Sequence, residues 1–68
     1  MIELYAVNAG YRKSDIDTNW YYVLAHSIKE ARQRFSSKVT WLDVYKIVVC
    51  DDVRREDVLG HPDKYIVI

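Results

Sequence analysis

Three side chains in this chain could support nucleophilic or metal chemistry: Cys50, His26 and His61. A thiolate nucleophile needs a base within hydrogen-bond reach and surroundings that lower its pKa. Cys50 instead closes the apolar run VYKIVVC, where a free cysteine behaves as a small hydrophobe. Two histidines and one cysteine without close spacing do not make a zinc motif. Asp15-Ile-Asp17-Thr-Asn19 imitates the opening of a calcium loop, but Trp20 and His26 stand where that loop needs a glycine and a bidentate acid. The only glycines, Gly10 and Gly60, build no phosphate cradle. The expectation is a protein that is not an enzyme, with no catalytic, cofactor-binding or metal-binding residues.

The balance of charge narrows the partners. Ten basic and ten acidic residues cancel, whereas a protein working on phosphate backbones normally shows a basic excess. Nucleic acid is therefore disfavoured. The lone Cys50 cannot form an internal disulfide, which points to a reducing cytoplasm. MIELYAVNAGYRK lacks the basic and apolar regions of a signal peptide, and no apolar run reaches the ~20 residues of a membrane span. Sixty-eight residues, half of them hydrophobic, make a single domain spanning 1–68 with a small core. Six tyrosines and two tryptophans are many for that length. Such side chains join large apolar area to a polar tip and suit half-exposed surfaces.

The elements that must position these residues follow from pattern. Residues 1–7 (MIELYAV) and 20–25 (WYYVLA) read as strands joined by a polar connection at 8–19. Without Pro or Gly inside either strand, antiparallel pairing is expected. Ser27 and Glu30 form S-x-x-E, a capping box that opens a helix. Ile28, Ala31, Phe35 and Val39 recur at three and four to give it one apolar stripe, and Glu30 and Arg34 stand at i,i+4. Lys29, Arg32 and Arg34 point in different directions around this helix, so it reads as scaffold rather than a basic binding face. Residues 44–50 (VYKIVVC) read as a third strand. DDVRREDVLGHPDK then supplies one or two helical turns, with Asp52 as cap, Gly60 in the left-handed position and Pro62 as stop. Its acids (Asp51, Asp52, Glu56, Asp57 and Asp63), tempered by Arg54, Arg55 and Lys64, read as a solvated connection or an acidic edge for a basic partner. KYIVI is a last short strand. The expected fold is α+β, β-β-α-β-(short α)-β, with one main helix on an antiparallel or mixed sheet.

One helix covers only one face of a sheet. Alternation assigns Ile2, Leu4, Tyr21, Val23, Ile47, Val49 and Ile66 beneath it and leaves Tyr5, Val7, Trp20, Tyr22, Lys46, Tyr65 and Val67 on the other face. An aromatic row of that size calls for a partner. Tyr5, Trp20, Tyr22, Lys46 and Tyr65 are thus the expected partner-binding residues, for another protein or a second copy. Stacking of nucleic-acid bases or a nucleotide ligand is the alternative. Residues 52–60 are the segment that could cover the face instead.

The segment WYYVLAHSIKEARQRF, through Ala25, Ser27, Glu30, Ala31 and Phe35, resembles the strand-then-helix portion of short phage and prophage accessory proteins, including small anti-CRISPR inhibitors. The resemblance spans about residues 20–49 and lies in capping and packing positions. It implies a stoichiometric inhibitor of a host defence protein, acting in the host cytoplasm by covering a surface. It carries over no interface residues.

Overall fold

A computed structural model describes residues 1–11 and 19–68. The chain runs β1 (Glu3–Gly10), β2 (Asn19–Ala25), α1 (Ile28–Lys38), β3 (Asp43–Val49) and α2 (Asp52–Gly60). It is an α+β domain with a three-stranded antiparallel sheet in the order β2-β1-β3. The calcium-loop imitation and most of the polar connection fall in residues 12–18, outside the described residues.

β1 is longer than its composition suggests, because Asn8 and Ala9 pair on both sides, Asn8 with Trp20 and Lys46 and Ala9 with Asn19 and Val44, and Gly10 pairs with Asp43. Two ladders override the turn preference of Asn and Gly. A register shift between Asn8 and Ala9 leaves Tyr45 as the extra residue of a bulge in β3. The final strand shrinks to one parallel bridge between Tyr22 and Val67. It is closed by Tyr22 N–H to Ile66 O (2.9 Å) and Ile68 N–H to Tyr22 O (2.7 Å).

α1 begins as its capping box dictates. The Ser27 hydroxyl accepts from the Glu30 amide at 3.1 Å. Glu30, however, reaches back to the His26 amide (3.3 Å) rather than to that of Ser27, and its other oxygen pairs with Arg34 at 2.9 Å. Ala31, Phe35 and Val39 are buried as the stripe requires, while Ile28, in the first turn, stays half exposed. Phe35 meets Tyr21 with ring centroids 5.3 Å apart. In α2 the cap is Asp51, one residue earlier than Asp52, and its carboxylate accepts from the Arg54 amide at 2.8 Å. Gly60 lies inside the helix and is not left-handed; His61 takes the terminal position.

The largest correction concerns β1. Tyr5 and Val7 join Ala9, Val23, Ala25, Ala31, Phe35 and Val39 in the core under α1, while Leu4 and Ala6 face α2 with Tyr22 and Val58. The phase of β1 is therefore the reverse of the sequence expectation. Ile2, Val49 and Ile66, also expected under the helix, remain about half exposed. The physical reason is that β1 is the central strand and both of its faces are covered. From Leu4 to Val7 every residue is apolar, and alternation then carries no phase.

Candidate functional site

On the α2 side, cross-strand neighbours form three rows: Leu24–Leu4, Tyr22–Ala6–Val48 and Trp20–Asn8–Lys46. α2 covers this face through a single fully buried residue, Val58, which packs over the first two rows. The third row stays open. In the middle row a short Ala6 side chain lies between Tyr22 and Val48, so the sheet has a hollow there. The result is an open cleft of about 350 Å³ lined by Trp20, Tyr22, Val48, Val49, Cys50, Asp51 and Arg54, with Ala6 as floor.

Of the five expected partner-binding residues, the fold keeps two available and in the same row. Trp20 is 45% exposed, and Lys46 is exposed across Asn8 from it. The other three are diverted into packing. Tyr5, 5% exposed, belongs to the core on the opposite face. Tyr22, 4% exposed, is held under α2. Tyr65 is part-buried, and its hydroxyl donates to Asp57 while its ring packs edge-on against Tyr22. The single exposed row expected from alternation therefore does not form. What remains is half a face, with a tryptophan at one side and a lysine at the other.

Arg54 and Cys50 at the head of the cleft were not readable as site residues. Arg54 is placed by the strand-to-helix junction at Asp51, which turns α2 back over the sheet, whereas Cys50 shares the face of Lys46 and Val48 by alternation along β3. The only signal was the cap spacing Asp51 to Arg54. Arg54 stays charged, its pKa raised chiefly by the Tyr22 oxygen beside it. Burial pushes the Cys50 thiol above its ordinary value, and Asp51 adds to this while Arg54 opposes it. A thiol held protonated is a poor nucleophile. The histidines are engaged elsewhere: His26 Nδ1 with Glu30 at 3.0 Å and His61 Nε2 with Asp57 at 3.9 Å. Among the described residues no group of three His, Cys, Asp or Glu side chains is arranged to hold a metal. Among them, too, no helix is long and apolar enough to cross a membrane.

Fold and site together define a small α+β domain with a helix on each face of a three-stranded sheet and a half-covered second face. No family model, curated protein or solved structure matches this chain.

Proposed function

We propose that the protein is a non-catalytic protein-binding module that uses the open half of its second sheet face to cover a surface of its partner. An inhibitor of a host protein, as the resemblance to phage accessory proteins implies, is the specific form of this reading. The observation that carries it is the uncovered Trp20–Asn8–Lys46 row beside the cleft. Tryptophan and arginine are the residues most enriched at binding hot spots, where one fills a pocket and the other supplies a fork of donors. Here Trp20 and Arg54 stand on the wall of the same cleft. A partner side chain that is apolar with an acidic end fits this lining: Asp51, the acid in it, is bonded to the Arg54 amide as the α2 cap, and the Arg54 guanidinium and the nearby Lys46 are cations.

The nucleic-acid reading needs a platform of exposed rings. Tyr5 and Tyr22 are buried, which leaves Trp20 as the exposed ring of the expected row on this face, and the net charge is zero. Both facts favour a protein partner.

The test is affinity capture from host lysate with the wild type and with Trp20→Ser. The expected result is one protein retained in fixed stoichiometry by the wild type and lost by the variant, with unchanged circular dichroism. Retention by the folded variant moves the interface off this face. Binding to single-stranded oligonucleotides that falls steeply with salt favours nucleic acid instead.

A further inference from the structure

We propose that the outer edge of β3 is a strand-pairing seam for a second copy of this chain, joined antiparallel about a two-fold axis at Val48. Among the described residues β3 ends the sheet on its side. The orientation of its backbone groups follows from two facts. The Cys50 amide donates to Leu4 O at 2.9 Å, and Tyr5 stands opposite Val49. In an antiparallel ladder this turns the amides and carbonyls of Lys46, Val48 and Cys50 toward β1 and those of Ile47 and Val49 outward. Such an outward row is a template for another strand.

The limits of the straight segment set the register. The bulge at Tyr45 interrupts β3 on one side, and Asp51 caps α2 on the other. Lys46–Cys50 lies between them, and its midpoint is Val48. Self-pairing about Val48 sets Ile47 opposite Val49 of the second copy, and the reverse, so the outward backbone groups meet as two bonded pairs. It sets Lys46 opposite Cys50 of the second copy, next to the carboxylates of Asp51 and Asp52 at the start of that copy's α2. Pairing about Lys46 would instead face two ammonium groups, a like-charge cross-strand pair that destabilises. Lysine on an edge strand commonly blocks indiscriminate pairing; here it excludes one register and complements another. A zero net charge adds no long-range repulsion between copies. Both the symmetric, uncharged Ile47-Val48-Val49 stretch and the lysine-to-acid complementarity favour a second copy over an unrelated extended peptide. The seam shares Val48, Val49 and Cys50 with the lining of the Trp20 cleft, so self-association is read by sedimentation and cross-linking and not by partner capture.

Three proteins test this. Wild type should sediment as a dimer at tens of micromolar. Val49→Pro removes an outward donor that the β1 ladder does not use, and should give a monomer with unchanged circular dichroism. Val48→Cys in a Cys50→Ser background brings two thiols into a close non-hydrogen-bonded pair and should form a covalent dimer on mild oxidation. Wild type should not, because its two Cys50 residues lie about four strand positions, or roughly 13 Å, apart, beyond disulfide reach. A monomeric wild type overturns the proposal. So does a dimer that survives Val49→Pro, or one in which Val48→Cys fails to cross-link.

Discussion

The Tyr65 ring stands edge-on to Tyr22, with centroids 5.5 Å apart and planes at 85°. That contact, with the Tyr65 hydroxyl on Asp57, holds the last residues of the chain against β2. Tyr65→Ala should release them. The Ile68 amide, which donates to Tyr22 O, should lose its hydrogen-exchange protection, while Val7 and Val23 in the core keep theirs. Unchanged protection at Ile68 would show that the backbone bridge holds the segment without the ring.

Phe35 is fully buried between α1 and the sheet. Phe35→Ala should cost about 3–5 kcal/mol through lost burial and the cavity left behind. Ser27→Ala removes only the acceptor for the Glu30 amide and should cost about 1 kcal/mol. Denaturant melts of the two variants check the ranking; equal losses would mean that the Phe35 site collapses to fill itself.

Gly60 sits at the end of α2 without a left-handed backbone, and a Cβ there would meet nothing within 4 Å. Gly60→Ala should therefore stabilise the fold by about 0.5–1 kcal/mol, mainly by restricting the unfolded chain. A loss of stability in thermal melts would place the residue in strain that its backbone angle does not show.

Stability should also follow pH in a defined way. The His26 contact, with help from Arg34, holds Glu30 below the ordinary carboxylate range, and the Tyr65 hydroxyl does the same for Asp57. Carboxylates with lowered folded pKa stabilise fully above the unfolded value near pH ~4, and that contribution disappears as pH falls through the folded value. Tyr65 is raised, first by its hydrogen bond to Asp57. Its contribution is complete below the unfolded phenol value near pH ~10 and disappears as pH rises through the folded one. Cys50, raised by burial, adds its own loss above the unfolded thiol value near pH ~8.5, so denaturation midpoints should be flat between about pH 5 and 8 and fall on either side. Asp57→Asn should shrink both slopes. Glu30, Asp57 and Tyr65 are solvent-accessible, so added salt should damp their contributions. An unaltered alkaline slope in Asp57→Asn would separate Tyr65 from this pair.

The parts of the fold that were readable in the sequence are those whose signals are local. The WYYVLA strand, the Ser27–Glu30 cap and the Ala31–Phe35–Val39 stripe each follow from neighbours a few residues away. The face of β1 did not, because Leu4, Tyr5, Ala6 and Val7 are all buried and only the positions of α1 and α2 tell them apart. The candidate site divides along the same line. Trp20 and Lys46 were found by alternation on edge strands, where alternation keeps its meaning. Cys50 shares the face of Lys46 but ends an apolar run that marks no site, and Arg54 reaches the cleft through the fold-back of α2 around Val58, of which the sequence shows only the cap spacing from Asp51.

The central position of β1 has a consequence for how the protein folds. This strand precedes every other element in the chain, yet half its backbone groups wait for β3, so Tyr5 must find Val49 across most of the sequence. The β1–β2 pairing and α1 are comparatively local and can assemble before it. Closure of β1 on β3 is the step that costs the most chain entropy. Substitutions in β3 should therefore act on the refolding rate, whereas α2, in which Val58 is the one buried residue, should report mainly on unfolding. Stopped-flow refolding of Ile47→Ala should be slowed, and Gly60→Ala should slow unfolding while leaving refolding unchanged.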